Sequence, residues 1–201
     1  MSKVFIDLAM SLDGFISGSN GEDHGLHNWY FAPALASQAV IAELIENIGA
    51  MVMGRKSYEA GSDNGAYDEN NPYQMPHFIL SRSITTRRIP GKTPMFFIAD
   101  GLESCLEQAK AVAGKKDICI AGGANTVQQF IKAGLVDEIR IHLVPVLLGE
   151  GLRLFEHIGA VKLEQTKVIE SVGVTHLRFD VVKTHKENHA SLLRQHQSQN
   201  G

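Results

Sequence analysis

Asp117 to Phe130 reads DICIAGGANTVQQF, and the reading of this stretch decides the fold. Ile118-Cys119-Ile120-Ala121 is a short apolar run with two β-branched residues, the pattern of a strand buried on both faces. Gly122-Gly123 follows directly, and Ala124 to Ile131 reads as a helix. Strand, Gly-Gly and helix in succession can present an anion site. Glycine tolerates positive φ and carries no Cβ, so a phosphate can approach the backbone. The helix start adds unpaired N–H groups and roughly +0.5 of partial charge. The same three parts also make an ordinary tight strand-to-helix turn. The G-x-G-x-x-G fingerprint is absent, and no ribose-binding acid stands about 20 residues further on.

Upstream, strand-like runs alternate with helical ones. Val4 to Met10 (VFIDLAM) reads as a strand, and Phe15 to Leu26 as a long loop rich in Gly, Ser and Asn. Long loops in compact domains are often functional. Trp29, Tyr30 and Phe31 then cluster, as core or as a ligand platform. Pro33 to Ile48 places Leu35, Val40, Ile41, Leu44, Ile45 and Ile48 near a 3.6-residue period, with Gly49 as C-cap. Ala50 to Gly54 is a second strand, and Arg55-Lys56-Ser57-Tyr58 begins a helix. Gly61 to Pro76 is polar loop. His77 to Leu80 and Met95 to Ala99 are further strands, and Leu102 to Ala113 is a helix. Such alternation implies a mostly parallel sheet with helices on both faces.

Downstream of the Gly-Gly unit the pattern changes. Asp137 to Leu148 is a long strand candidate. Lys162 to Ser171 and Val174 to Lys183 flank Val172-Gly173 as a closing antiparallel hairpin. The expectation is one α/β domain over residues 1–183, followed by a polar tail, 184–201.

At 201 residues the chain suits one domain. Its net charge of −3, without a long basic run, argues against a nucleic-acid partner. No apolar run reaches about 18 residues, so no membrane span is expected. The first residues enter a strand-like segment without a signal-peptide pattern. Cys105 and Cys119 form no C-x-x-C, which fits a reduced, cytoplasmic protein.

Four loops fall at predicted C-terminal strand ends: Ser11-Leu12-Asp13-Gly14, Gly54-Arg55-Lys56-Ser57, Ser81-Arg82-Ser83 and Gly122-Gly123. Ligands of open α/β sheets collect at that edge, and Arg with Ser hydroxyls suits a phosphate. Any one of these loops alone is an ordinary solvated turn. Among the histidines, His24 and His27 read as surface groups and His142 and His176 as structural ones. His185 and His189 have i, i+4 spacing but no third ligand, so no metal site is expected.

The runs LAMSLDGFI (8–16), MGRKSYE (53–59), ILSRS (79–83), AGGANTVQQF (121–130) and VDEIRIHLVPVLLGEGLRLF (136–155), in this order, resemble the dihydrofolate reductase-like superfamily. The branch most similar is the C-terminal reductase domain of the riboflavin-pathway deaminase–reductase, and the resemblance covers roughly residues 3–183. It implies a three-layer dihydrofolate reductase-like fold and bound NADPH. Ala9 and Ile16 then match the nicotinamide end. Gly54, Arg55, Lys56 and Ser57 match the helix start that grips the phosphates. Leu80, Ser81 and Arg82 match the adenosine side, and Gly122, Gly123, Ala124, Asn125 and Thr126 the pyrophosphate turn. Asp13 and Trp29 match the substrate side, although Asp13 before Gly14 also suits a plain turn. A homodimer through the C-terminal strands is implied too, in line with the apolar excess of Asp137 to Leu148.

Two departures concern the substrate half. Dihydrofolate reductases carry an acid shortly after the matching Trp, where this chain has YFAPALASQ. Riboflavin-type reductases carry Glu before the Gly-Gly, where this chain has Ala121. A protonated pterin ring would then lose water without gaining a counter-charge, so poor turnover of dihydrofolate is expected. The implied function is an NADPH-dependent reductase acting on a small heterocycle or carbonyl compound. The alternatives are a nucleotide-binding module without turnover and a sugar-phosphate-binding protein.

Overall fold

Strand β1 (Val4–Ser11) is the axis of the sheet in this computed structural model, which describes residues 2–63, 67, 71–82 and 93–183. Ser83, residues 64–66 and 68–70 of the polar loop, and 184–201 with His185 and His189 lie outside the described residues. β1 pairs in parallel with β5 (Asp117–Gly122) on one side and β6 (Glu138–Val144) on the other. Outward from β5 run β2 (Ile48–Gly54), β3 (His77–Leu80) and β4 (Met95–Ile98), all parallel. Outward from β6 the sense reverses. β8 (Val174–Val181) is antiparallel to β6, and β7 (Leu163–Ser171) to β8, which gives the order β4-β3-β2-β5-β1-β6-β8-β7. The helices are α1 (Asn28–Phe31), α2 (Leu35–Asn47), α3 (Arg55–Asp63), α4 (Leu102–Ala113) and α5 (Ala124–Lys132). The mixed, mostly parallel sheet with its antiparallel C-terminal hairpin is the expected architecture.

Two local expectations change. Gly49 is not a helix C-cap: Ile48 ends α2 in an extended conformation, and the chain runs straight into β2. Glycine is required there by crowding, because a Cβ would lie 2.8 Å from the Ala113 Cα and the Lys116 Cβ. The strand expected to reach Leu148 stops at Val144. Pro145 has no N–H for the ladder, and the chain turns so that Val146 O accepts from Leu12 N at 2.9 Å.

The faces of β1 differ. Val4 and Ile6, with Leu8 and Met10, pack with Leu106 of α4 and Val127 and Phe130 of α5. On the other face Phe5 packs with Leu44, Ile48 and Met51, and Ala9 with Leu26 and Trp29. This second face continues onto β6 and β8 as a buried polar row comprising Glu138, Arg140, His142 and His176. Glu138 binds Lys3 at 2.9 Å and Arg140 at 2.5 Å, with Arg178 at 3.4 Å. Arg178 also reaches Glu43 of α2 at 2.6 Å. The cysteines are free and buried. Among the described residues no helix is long and apolar enough to cross a membrane, and no metal-ligating cluster occurs.

Candidate active site

Strands β3, β2, β5 and β1 end side by side. Leu80 pairs with Gly54 and Met53 with Gly122, so the turns leaving β2 and β5 are neighbours. They touch closely: a Cβ on Gly54 would lie 2.5 Å from Thr126 Oγ1, and one on Gly123 would lie 2.9 Å from Ser57 Oγ. Gly122 has φ +125°, and its peptide bond to Gly123 is cis. No side chain caps α5, whose N-cap is Gly123, so its first N–H groups face outward without intrahelical partners. Glycine backbone, two hydroxyls and an uncapped helix start form a cradle whose chemistry fits a pyrophosphate.

The other residues implied for the cofactor surround this cradle unevenly. Ala124 is buried, and the Asn125 side chain accepts from Gln129 Nε2 at 2.6 Å. Arg55 is exposed and pairs with Glu59 at 2.7 Å, and Lys56 is exposed. Ser81 is buried past the end of β3, its N–H donating to Ile98 O at 3.0 Å, and Arg82 is exposed beside it.

A cleft of about 440 Å³ adjoins the cradle. Ala9, Met53 and Ala121 line it; the latter two immediately precede the Gly54 and Gly122 turns. Trp29, Tyr30 and Tyr73 also line it, and the two tyrosine rings stack at 6.3 Å and 18°. Burial, the Tyr30 hydrogen bond and nearby charge keep the Tyr73 phenol protonated far above its ordinary range. Trp29 belongs to the core and also lines the cleft, its ring 4.4 Å from the His142 ring.

Of the predicted residues only Ala9 and Trp29 line the cleft itself, and Ile16 and Asp13 belong neither to it nor to the cradle and its surround. Ile16 packs against the cluster containing Ile6 and Val127. Asp13 clasps a neighbouring loop: its carboxylate accepts from Ser11 Oγ at 2.6 Å, Leu148 N at 3.1 Å and Gly149 N at 2.7 Å. The Ser11 hydrogen bond, with those of the Gly149 and Leu148 amides, holds its pKa down to about 2.

The cleft also holds a carboxylate. Asp7 lines it from β1, with a side chain only 10% exposed. The segment after Trp29 supplies no acid, as expected, but the cleft has one that this expectation did not include, from β1. Asp7 Oδ1 lies 2.9 Å from His142 Nε2, and His142 Nδ1 lies 2.8 Å from His176 Nδ1. His176 Nε2 lies 3.0 Å from Ser37 Oγ, which donates to Ser171 Oγ at 2.8 Å. Burial, with His142 alongside, lowers the His176 pKa to about 4, against the pull of Asp7. The sequence held one sign of this, a lone charge inside an apolar strand. The histidines needed the register, since His142 faces Ala9 on β1 and His176 on β8.

The RibD C-terminal domain profile matches residues 2–182. The chain belongs to the RibD C-terminal domain family. A relative, the uncharacterized protein YyaP of Bacillus subtilis, is 32% identical over 162 residues, which is 76% of this chain and 80% of that protein. A solved structure of a protein assigned to riboflavin biosynthesis in Shewanella sp. PV-4 superposes with TM-score 0.74 at 25% identity, covering 90% of this chain and 99% of that one. Dihydrofolate reductase from Enterococcus faecalis, solved with NADP(H), superposes with TM-score 0.61 at 14% identity, covering 90% and 97%. This RibD C-terminal domain protein thus has a reductase-like, dihydrofolate reductase-like fold.

Proposed function

We propose that the protein is an NADPH-dependent reductase that passes hydride to a small, planar, polar heterocycle or carbonyl compound of the pterin or riboflavin-precursor class. The observation that carries this reading is the shared architecture of cradle and cleft, both built on the ends of β1, β2 and β5. A dinucleotide with its phosphates against Gly54, Ser57, Gly122, Gly123 and Thr126 would run past Ala9 into an aromatic cleft. The Enterococcus faecalis enzyme of similar fold was solved with NADP(H), which supports the choice of cofactor. NADPH, when bound, supplies the hydride; the chain orients the reactants and excludes water. Trp29, Tyr30 and Tyr73 offer flat apolar walls for a ring. Leu80, Ser81 and Arg82 take the adenosine side, with Arg55 and Lys56 at the helix start, and Asn125 flanks the pyrophosphate turn. Ile16 supports the nicotinamide end from behind, and Asp13 anchors the adjoining loop.

Cofactor choice tests the reading. Arg82, with Ser81 and Arg55, is the group for the 2′-phosphate that distinguishes NADPH from NADH. A hydrogen bond to a charged group contributes about 1.5–3 kcal/mol, which is roughly 10- to 100-fold in affinity. Fluorescence titration should show Arg82→Ala weakening NADPH by that factor and NADH far less. Equal losses would take Arg82 off that phosphate, and no binding of either nucleotide would end the reductase reading.

The same proposal includes a homodimer through the C-terminal strands. β7 is an edge strand exposed along most of its length, and Leu163, Val168 and Val172 are exposed on the hairpin. Light scattering at micromolar concentration should give twice the chain mass. A monomer mass removes the dimer and leaves the reductase reading standing.

A further inference from the structure

The chain from Asp7 to Ser171 does more than satisfy buried polar groups. Its four links, between 2.8 and 3.0 Å, join Asp7 in the cleft to Ser171, which is half-buried at the end of β7. The links beyond His142 run behind the cleft, between β6, β8, α2 and the end of β7. Asp7 Oδ2 is buried and has no hydrogen-bond partner among the described residues. A buried carboxylate oxygen without a donor is costly, so this atom marks the point where a ligand group completes the site.

We propose that Asp7 is the acid that protonates the substrate during reduction, recharged from solvent through His142, His176, Ser37 and Ser171. The assignment rests on the reductase reading above. The two polarities of the chain share one heavy-atom geometry and differ by one proton. In the first, Ser171 donates to Ser37, Ser37 to His176, His176 to His142 and His142 to an ionised Asp7. When a proton enters at Ser171 and each member passes its own proton inward, every bond reverses, and Asp7 becomes a neutral carboxylic acid. Both imidazoles are neutral before and after. A turn of the carboxyl group about its soft terminal torsion presents the proton to the cleft.

The reduction step balances on this basis. Hydride from the reduced nicotinamide forms a C–H bond at the carbon of a polar C=N or C=O group. The π electrons of that group move to nitrogen or oxygen, which takes the proton from Asp7. The substrate is reduced, the nicotinamide oxidised, and Asp7 left as carboxylate facing a bare His142 Nε2; both imidazoles then exchange their ring protons with solvent to restore the first polarity, and one further proton entering at Ser171 makes Asp7 an acid again.

The surroundings permit the shuttle. Asp7 is faced by His142 of β6, by Cys119 of β5 and by Tyr73, whose thiol and phenol both titrate far above neutral pH. Arg140 and Arg178, beside the histidines, are already matched to Glu138 and Glu43. Lys167, which lines the same recess, is matched to Glu43 at 3.1 Å. His176 stays neutral down to a pH of about 4, so it is not trapped as an imidazolium at neutral pH.

The test uses the full chain, labelled with ¹⁵N-histidine, together with Asp7→Asn and Ser37→Ala. Three measurements are made: ring-nitrogen shifts, NADPH titration, and NADPH oxidation against a panel of dihydropterins, aminopyrimidinones and aromatic aldehydes. Asp7→Asn should move the ring shifts of His176 as well as those of His142, and Ser37→Ala should move those of His142 as well as those of His176. Both variants should bind NADPH as the wild type does. With the best panel substrate, Asp7→Asn should lower kcat by about 10²- to 10⁴-fold. Ser37→Ala should lower kcat with an unchanged KM and shift the acid limb of the pH profile. Ring shifts that respond only at the nearest histidine overturn the relay, as does a kcat for Asp7→Asn within threefold of wild type. Loss of NADPH binding by the wild type overturns the underlying reductase reading instead.

Discussion

Replacing Glu138 with Ala should lower the melting temperature by roughly 6–20 °C, from about 3–5 kcal/mol for breaking a buried ion pair and about 2–4 °C per kcal/mol in a domain of this size. Glu138 is 3% exposed and anchors Lys3, Arg140 and Arg178 at once. Its removal leaves Arg140, itself buried, without its 2.5 Å partner and over the apolar Phe5 ring, 3.8 Å away. The dependence on pH has a definite sign. Burial pushes the Glu138 pKa up, but hydrogen bonds from Lys3 and Arg140 outweigh it, and the folded value lies below the ordinary 4.5 of a glutamate. Its contribution is therefore fully present above pH 4.5 and lost as pH falls through the folded pKa. The gap in melting temperature between wild type and Glu138→Ala should narrow on acidification below that point. A gap that widens there, or a shift under 2 °C at pH 7, would show that the row is not a stabilising anchor.

Gly54→Ala should raise the Kd for NADPH roughly 5- to 150-fold, from an overpacking cost of about 1–3 kcal/mol. The new methyl would sit 2.5 Å from Thr126 Oγ1. Thr126 is buried on α5 and β-branched, so its χ1 has few alternatives. The turns after β2 and β5 must then part, and the cradle opens. Thr126→Ala in the same chain removes the obstructing hydroxyl, so a double-mutant cycle should show recovery beyond additivity. Wild-type NADPH affinity in Gly54→Ala would place the phosphates elsewhere.

How legible these features were follows from how local each one is. The Ile118–Ala121 run, Gly122-Gly123 and the helix after them carry their signals within a dozen residues, and the strand–turn–helix they form is the one observed. The same holds for His77–Leu80 and Leu102–Ala113, whose limits match. Gly49 was misread because a glycine after a helix signals a cap, whereas its real constraint is contact with Ala113, far away in sequence. The acid of the cleft was missed because it was sought after Trp29. A carboxylate in β1 becomes intelligible only once β6 brings His142 against it, a pairing across 135 residues.

Alternation along β1 has a consequence for how such a protein can change. Ile6 and Met10 pack with the core, Leu8 packs against it while also bordering the cleft, and Asp7 and Ala9 open to the cleft. Scaffold and chemistry are thus interleaved one residue apart yet point to opposite sides of a single strand. A new substrate preference can be written at position 9 without repacking α4 and α5. Inserting or deleting one residue ahead of Asp7 would have the opposite outcome. It would turn a carboxylate into the apolar interior and a leucine into the cleft, a phase error that no second substitution nearby could repair. Divergence of this site should therefore proceed by replacement within β1, and never by a change in its length.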